Sequence, residues 1–178
     1  YNDFLTRIVA VQSSTTAGDP VGLSDPNIYS IAVNSPDPLN VSGWGLSFDY
    51  LLPRNFFANA NVFGDQISDV PAGLKTYFNT PKVRFNLGFG NSGIGKSKRA
   101  GFNIVYRWQD KYFTESDFRQ GDVPAFGTLD AQVSYKFPAA KVLLKLGATN
   151  LTNHYYINQF GNPSIGGLYY LSVGYNVF

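Results

Sequence analysis

Residues 83–109 read VRFNLGFGNSGIGKSKRAGFNIVYRWQ. Within them lies GNSGIGKS, residues 90–97, in which Gly90, Gly95, Lys96 and Ser97 complete the spacing of a nucleotide phosphate-binding loop. Such a loop works between an entering strand and a leaving helix, whose N-terminal N–H groups converge on the phosphates. The entering side fits: Val83, Phe85, Leu87 and Phe89 alternate with Arg84, Asn86, Gly88 and Gly90, the period of a strand. The leaving side does not. Ala100, Phe102, Ile104, Tyr106 and Trp108 occupy every second position, and a helix would scatter them around its surface. Gly101, Asn103, Arg107 and Gln109 lie opposite, with Val105 the exception. The stretch therefore predicts two antiparallel strands and a turn, with no nucleotide site. Gly90, Gly93 and Gly95 are expected to supply the positive backbone angles of that turn.

The same period recurs on both sides. In residues 128–137 (TLDAQVSYKF), Leu129, Ala131, Val133, Tyr135 and Phe137 share a face. Val142, Leu144, Leu146 and Ala148 oppose Lys141, Lys145 and Gly147, and Trp44, Leu46, Phe48, Tyr50 and Leu52 oppose Gly43, Gly45, Ser47 and Asp49. Phe56, Ala58, Ala60 and Val62 alternate with Asn59 and Asn61, and Tyr169, Leu171, Val173 and Tyr175 with Ser172 and Gly174. Residues 2–12 alternate poorly and read as a strand on Val/Ile content and position. Residues 28–52 are taken as one long strand despite Ser35-Pro36-Asp37-Pro38. Short turns at 53–54, 91–97 and 138–140 alternate with long polar connections at roughly 13–27, 68–81, 113–126 and 150–165, a pattern of tight turns at one end and loops at the other. The count is about eight strands.

Composition narrows the class. The 178 residues include 16% aromatics, with 12 Tyr, 15 Phe and 2 Trp. Cysteine is absent, which removes disulfides and thiolate metal sites. The net charge of +2 and the lack of an extended basic run leave no nucleic-acid footprint. The one histidine, His154, stands in a polar loop without a partner for acid–base or metal chemistry. Paired carboxylates and nucleophile motifs are not found, so no enzyme and no cofactor is expected.

Alternation alone suits a soluble sandwich as well as a membrane barrel. Loop asymmetry, a second face too polar for a packed core, and aromatics toward strand ends (Tyr50, Phe56, Trp108, Tyr112, Phe113, Tyr135, Phe137, Tyr169, Tyr170) favour the barrel. In lipid every backbone N–H and C=O must pair, so only a closed sheet spans. The predicted class is all-β, an antiparallel up-and-down transmembrane β-barrel.

The C-terminal third carries a resemblance. GDVPAFGTLDAQVSYKF (residues 121–137) precedes KLGATNLTNHYYINQFGNPSIGGLYYLSVGYNVF (residues 145–178). The G-x-x-N-L-x-N pattern (Gly147, Asn150, Leu151, Asn153), the Tyr155-Tyr156 pair, GNPSIGG-x-YY and the terminal aromatic resemble the end of a TonB-dependent outer-membrane receptor, of the kind common in Bacteroidetes. Upstream, Asn79-Thr80-Pro81-Lys82 resembles the family's N-x-P-K motif. The resemblance implies a 22-stranded barrel around a plug. Residues 1–178 then form a single barrel segment, the last eight strands, with the plug outside this chain.

The implied function is binding and import of a scarce nutrient: an iron chelate, vitamin, glycan or peptide. The implied partners are outer-membrane lipid, the plug and earlier strands of the same receptor, TonB acting through that plug, and a surface lipoprotein. The implied location is the bacterial outer membrane. Two alternatives stand beside it: a receptor-like barrel that only docks or scaffolds an outer-membrane complex, and a complete small barrel of about eight strands. Tyr77, Phe78, Phe113, Phe118, Tyr155 and Phe160 are candidates to stack on a ligand, against the plainer alternative that each packs a loop or anchors at the interface. Arg84, Asn86, Asn103, Arg107, Asp130, Gln132 and Lys145 are placed on the lumen side, bonding a plug or wetting the inner wall. By the same count the 90–97 turn lies on the periplasmic side, with Lys96, Lys98 and Arg99 at the inner-leaflet edge.

Overall fold

The structure is a computed structural model that describes residues 38–72, 74–116 and 119–176, together with the backbone of 6–12 and 28–34. Eleven strands follow in order: β1 (Thr6–Gln12), β2 (Ile28–Asn34), β3 (Asn40–Leu52), β4 (Phe56–Ser68), β5 (Val83–Ile94), β6 (Ala100–Gln109), β7 (Tyr112–Glu115), β8 (Gln120–Val123), β9 (Phe126–Phe137), β10 (Val142–Thr149) and β11 (Leu168–Tyr175). Seven of them form one antiparallel sheet in the order β11-β10-β9-β6-β5-β4-β3. The pairs β1-β2 and β7-β8 are separate two-stranded sheets. By compactness the chain divides into Tyr1–Ser42 with Ile67–Tyr77, and Gly43–Gln66 with Phe78–Phe178.

The sheet is all-antiparallel, as the alternation predicts, and neighbours along it are hairpin partners except where β7-β8 intervenes between β6 and β9. Register brings the apolar phases into line. Ala60 faces Leu87, Leu87 faces Tyr106, and Tyr106 faces Leu129. Phe102 faces Val133, Val133 faces Leu146, and Leu146 faces Leu171. Directly paired residues share a face, and a one-residue slip would turn every side chain over. The result is a continuous apolar face, and it is uncovered: Val133 is 55% exposed, Leu146 57% and Leu171 65%. Only Leu74, Val123 and Ala148 are buried among the apolar residues described. A water-soluble domain of this size would bury far more. Aromatic rings tile the apolar face, with Phe85 on Trp108 at 5.3 Å and Phe56 on Phe89 at 5.6 Å. Rings thus occupy mid-strand positions as well as strand ends.

Three expectations are corrected. Residues 28–52 are two strands, β2 and β3, and β2 pairs with β1. Pro38, which lacks an N–H for a ladder, lies outside both strands, just before β3. The sheet accordingly holds seven strands. The connection at 113–126 is a hairpin, Phe113 facing Asp122 and Thr114 facing Gly121. Its strands are four residues each, too short for alternation to announce them.

The third correction concerns the glycine turn. After Ile94 the chain turns at 95–98 and enters β6, a strand where a phosphate-binding loop requires a helix. Only Gly95 has positive φ (70°), joined by Lys98 (50°). Gly90 and Gly93 lie within β5. At Gly90 a side chain would collide with the Phe57 ring, so close packing keeps it glycine. Between Asn91↔Phe102 and Ile94↔Ala100, three steps of β5 match two of β6, a bulge. The bulge is held from the neighbouring turn. Asn91 Nδ2 donates to the Arg54 carbonyl (3.0 Å), and its Oδ1 accepts from the Gly93 N–H (2.7 Å). Asn55 Nδ2 donates to the Gly93 carbonyl (3.0 Å). Asn91 is 2% exposed, so Asn91→Ala strands buried partners and is expected to cost about 2 kcal/mol. Urea unfolding of the full-length protein in detergent checks this, and an unchanged midpoint would mean that the bulge holds without it.

Candidate functional site: the polar face and its cavity

Each strand that contributes an apolar residue to one face contributes its next residue to the other. On that second face Asn61, Asn86, Arg107 and Thr128 lie in one row, and Arg84 pairs across to Gln109. Gly88, Val105 and Asp130 make a second row; Asn103, Gln132 and Gly147 a third; Gly101, Ser134 and Lys145 a fourth. All seven residues expected on the lumen side therefore share one face. Val105, which breaks the alternation of β6, sits among them.

Two ion pairs organise this face. Arg84 Nη1 meets Asp65 Oδ2 at 2.6 Å, with the guanidinium 5.4 Å from the centre of the Phe63 ring. Arg107 Nη2 meets Asp130 Oδ2 at 2.9 Å. The arginines are about half exposed (41% and 58%), so each pair contributes no more than about 1 kcal/mol. Their role is to fix direction. Asp130 is the better buried partner, and its Oδ1 also accepts the Asn150 backbone N–H (2.8 Å), tying the sheet to the turn after β10. Further along the face, Tyr170 Oη donates to Gln132 Oε1 at 3.0 Å.

The turn after β10 is built by two asparagines of the G-x-x-N-L-x-N pattern. Asn150 (φ 50°) and Asn153 (φ 52°) both adopt the left-handed conformation, which asparagine tolerates better than most residues. Asn150 Nδ2 donates to the His154 carbonyl (2.7 Å), and its Oδ1 accepts the His154 N–H (3.0 Å). Asn153 Oδ1 accepts the Gly167 N–H (2.7 Å), closing the loop back toward β11. His154 thus acts through its backbone.

Between this loop and the polar face lies an open cavity of about 510 Å³. Arg84, Asn86, Arg107, Gln109, Asp130 and Tyr156 are among its walls. Tyr156 stacks on Phe126 with centroids 4.1 Å apart and bridges to Ile165. The Gln109 amide nitrogen is buried without a hydrogen-bond partner among the described residues, as is Asn103 Oδ1. Buried polar atoms left in this state favour an added partner. The cavity offers cation, anion, amide and ring together, which suits a polar ligand or a polar protein surface.

Loops around the cavity are tied to one another. Tyr112 Oη donates to the Asn158 carbonyl (2.5 Å), and the Phe160 N–H to Thr114 Oγ1 (3.2 Å). Arg119 Nη1 donates to the Gly161 carbonyl (2.8 Å), and Asn79 bonds both the N–H and the C=O of Glu115. Phe160 packs over Gly121, where a side chain would strike its ring. Phe113, Tyr155 and Phe160 are exposed, and Phe78 is half-buried beside the Asn79 tether. Tyr77, half-buried with φ 51°, belongs to the other compact unit. Phe118 lies outside the described residues. Tyr156, the second of the tyrosine pair, lines the cavity with Phe63, Trp108 and Phe126; neither it nor Gln109 was among the candidate site residues. Gln109 was legible, since it follows Arg107 by two in β6.

No family profile and no curated protein matches the chain. Solved structures do match in fold. The copper transporter OprC aligns with TM-score 0.63 and 14% identity over 85% of this chain and 24% of its own. The FrpB iron transporter from Neisseria meningitidis gives 0.58 and 14% over 78% and 24%. The ferripyoverdine receptor of the outer membrane of Pseudomonas aeruginosa gives 0.58 and 14% over 85% and 21%. At this identity the likeness is one of fold: an antiparallel β-sheet of the outer-membrane receptor barrel type. The chain spans about a quarter of the length of the structures it matches.

Proposed function

We propose that this chain forms part of the wall of a TonB-dependent transporter in the bacterial outer membrane, which binds and imports a scarce nutrient. The observation that carries the reading is the inversion of the sheet. Its apolar side is uncovered across seven strands, while its other side bears the ion pairs and the cavity. Lipid against the first face and water or a plug against the second satisfy both.

Edge strands β3 and β11 support membership of a larger barrel. Among the described residues neither has a partner on its outer side. In hydrocarbon each unpaired backbone group costs several kcal/mol, so further strands must continue the ladder. The reading is therefore of the last strands of a 22-stranded barrel, seven of them in the sheet described, closed by the rest of the receptor around a plug on which TonB pulls. The lumen residues would face that plug, and the cavity with its tethered loops would give part of the nutrient site. An iron chelate, vitamin, glycan or peptide all offer the polar groups that Arg84, Arg107, Asp130 and Gln109 would recognise.

The test is expression of the full gene. The product is expected in the outer-membrane pellet, to migrate differently on a gel before and after boiling, and to support nutrient uptake that stops when TonB is removed. A soluble product that needs no detergent would overturn the membrane reading, and TonB-independent uptake would overturn the energised one.

A further inference from the structure

We infer that the short-turn end of the sheet is a binding surface for the phosphates of anionic phospholipid headgroups. The inference rests on the reading that the apolar face meets a bilayer and that this end faces the periplasm. Three turns lie side by side there: residues 53–55 between β3 and β4, 95–98 between β5 and β6, and 138–140 between β9 and β10. With strands about 4.8 Å apart, the three span an arc of roughly 20 Å.

Charge is sorted along the strands. The turns and their flanks carry Arg54, Lys96, Lys98, Arg99, Lys136 and Lys141. Apart from Asp49 on the edge strand, the acids of the seven-stranded sheet, Asp65 and Asp130, sit toward the long-loop end and are matched by Arg84 and Arg107. The cations of the turn end take no part in either ion pair of the described residues, and Arg54, Lys96, Lys98, Arg99 and Lys141 are exposed. Hydrogen bonds hold the turns in place: Asn91 and Asn55 join the first to the second, and the Lys136 N–H donates to the Arg99 carbonyl (2.9 Å), joining the second to the third.

A second observation selects a lipid. Directly above the cations, exposed rings close the apolar face. Phe137 and Tyr175 both pair with Val142, and Phe137 packs on Tyr135 at 4.8 Å. Rings at the edge of an apolar band mark headgroup depth, and cations one step beyond them stand at the height of the phosphates. An acidic protein would account for the charges but not for their continuity with the apolar rows.

The test uses the full-length protein in mild detergent with equimolar phosphatidylglycerol and phosphatidylcholine, and native mass spectrometry to count retained lipids. Wild type is expected to retain phosphatidylglycerol preferentially. Replacing Arg54, Lys96, Lys98, Arg99 and Lys141 by glutamine is expected to reduce that preference about tenfold or more, since basic groups at a membrane surface attract anionic headgroups. If that variant fails to fold, the triple change Lys96→Gln, Lys98→Gln, Arg99→Gln, confined to one turn and its flank, is expected to lower it about fivefold. Equal retention of both lipids by wild type, or an unaltered preference in the folded variant, overturns the proposal. Orientation is read separately from Ser97→Cys with a membrane-impermeant maleimide. Labelling only after the outer membrane is permeabilised supports the periplasmic assignment. Labelling in intact cells overturns it, leaving the barrel reading to its own test.

Discussion

Val133→Arg is expected to destabilise the full-length protein by about 2–4 kcal/mol, the cost of a cation on the lipid face near mid-membrane. Val133 lies near the middle of β9, between Phe102 and Leu146, on the exposed apolar face. The neighbouring change Gln132→Arg is its control. Depth and chemistry are nearly the same, but Gln132 belongs to the opposite face, in a row with Asn103. It gives up the hydrogen bond from Tyr170 and gains Asp130 two positions away on the same face, so about 1 kcal/mol or less is expected. Reversible urea unfolding in lipid vesicles measures both. The contrast between adjacent residues matters more than either value. Equal costs would mean that the two faces meet the same medium.

Asn150→Ala is expected to cost about 3 kcal/mol, for two reasons that add. Alanine pays about 1 kcal/mol or more in the left-handed region that Asn150 occupies. The buried side chain, 3% exposed, also satisfies both the N–H and the C=O of His154, and stranding them costs roughly 1–3 kcal/mol. Asn150→Gly restores the backbone freedom without the hydrogen bonds and is expected to recover about 1 kcal/mol of the loss. Since Asn150 and Tyr156 both line the cavity, faster proteolysis of the 150–167 loop should accompany the change. An Asn150→Ala protein as stable as wild type would contradict the role assigned to this turn.

The sheet was legible because its strands are long and each has one polar and one apolar face. Leu129 to Phe137 in alternation leaves little other reading, and the registers then follow from matching apolar phases. What failed was local. The β7-β8 hairpin, two strands of four residues each, is held by contacts with residues 158–161 and 79, far along the chain, so no periodicity reveals it. Gly90 and Gly93 were read as turn residues because glycine has two uses. At Gly90 the neighbour is the Phe57 ring, which sequence cannot show. Residues 28–52 were taken as one strand against the plainer message of Pro36 and Pro38.

The polar residues Arg84 to Lys145 could be assigned to one face by counting in twos. Their pairing could not, because Arg84–Asp65 and Arg107–Asp130 depend on which strands are neighbours and on register. The cavity needed more still. Of the tyrosine pair it is Tyr156 rather than Tyr155 that lines it, a choice set by the bridge to Ile165 and the stack on Phe126. The asparagines of G-x-x-N-L-x-N stood out as a pattern, and geometry supplies their reason: two left-handed residues whose side chains close the turn.

The central claim is that one face of this sheet meets hydrocarbon and the other meets an aqueous lumen. These 178 residues hold no cysteine, so once any cysteine elsewhere in the full-length protein is replaced, single cysteines from 128 to 137 can each carry a nitroxide after reconstitution. Power-saturation resonance with oxygen and with a water-soluble nickel complex then reports the medium at each site. High oxygen access at 129, 131, 133, 135 and 137, with nickel access greatest at the even positions, is the expected result. Nickel access at odd and even positions alike would contradict it.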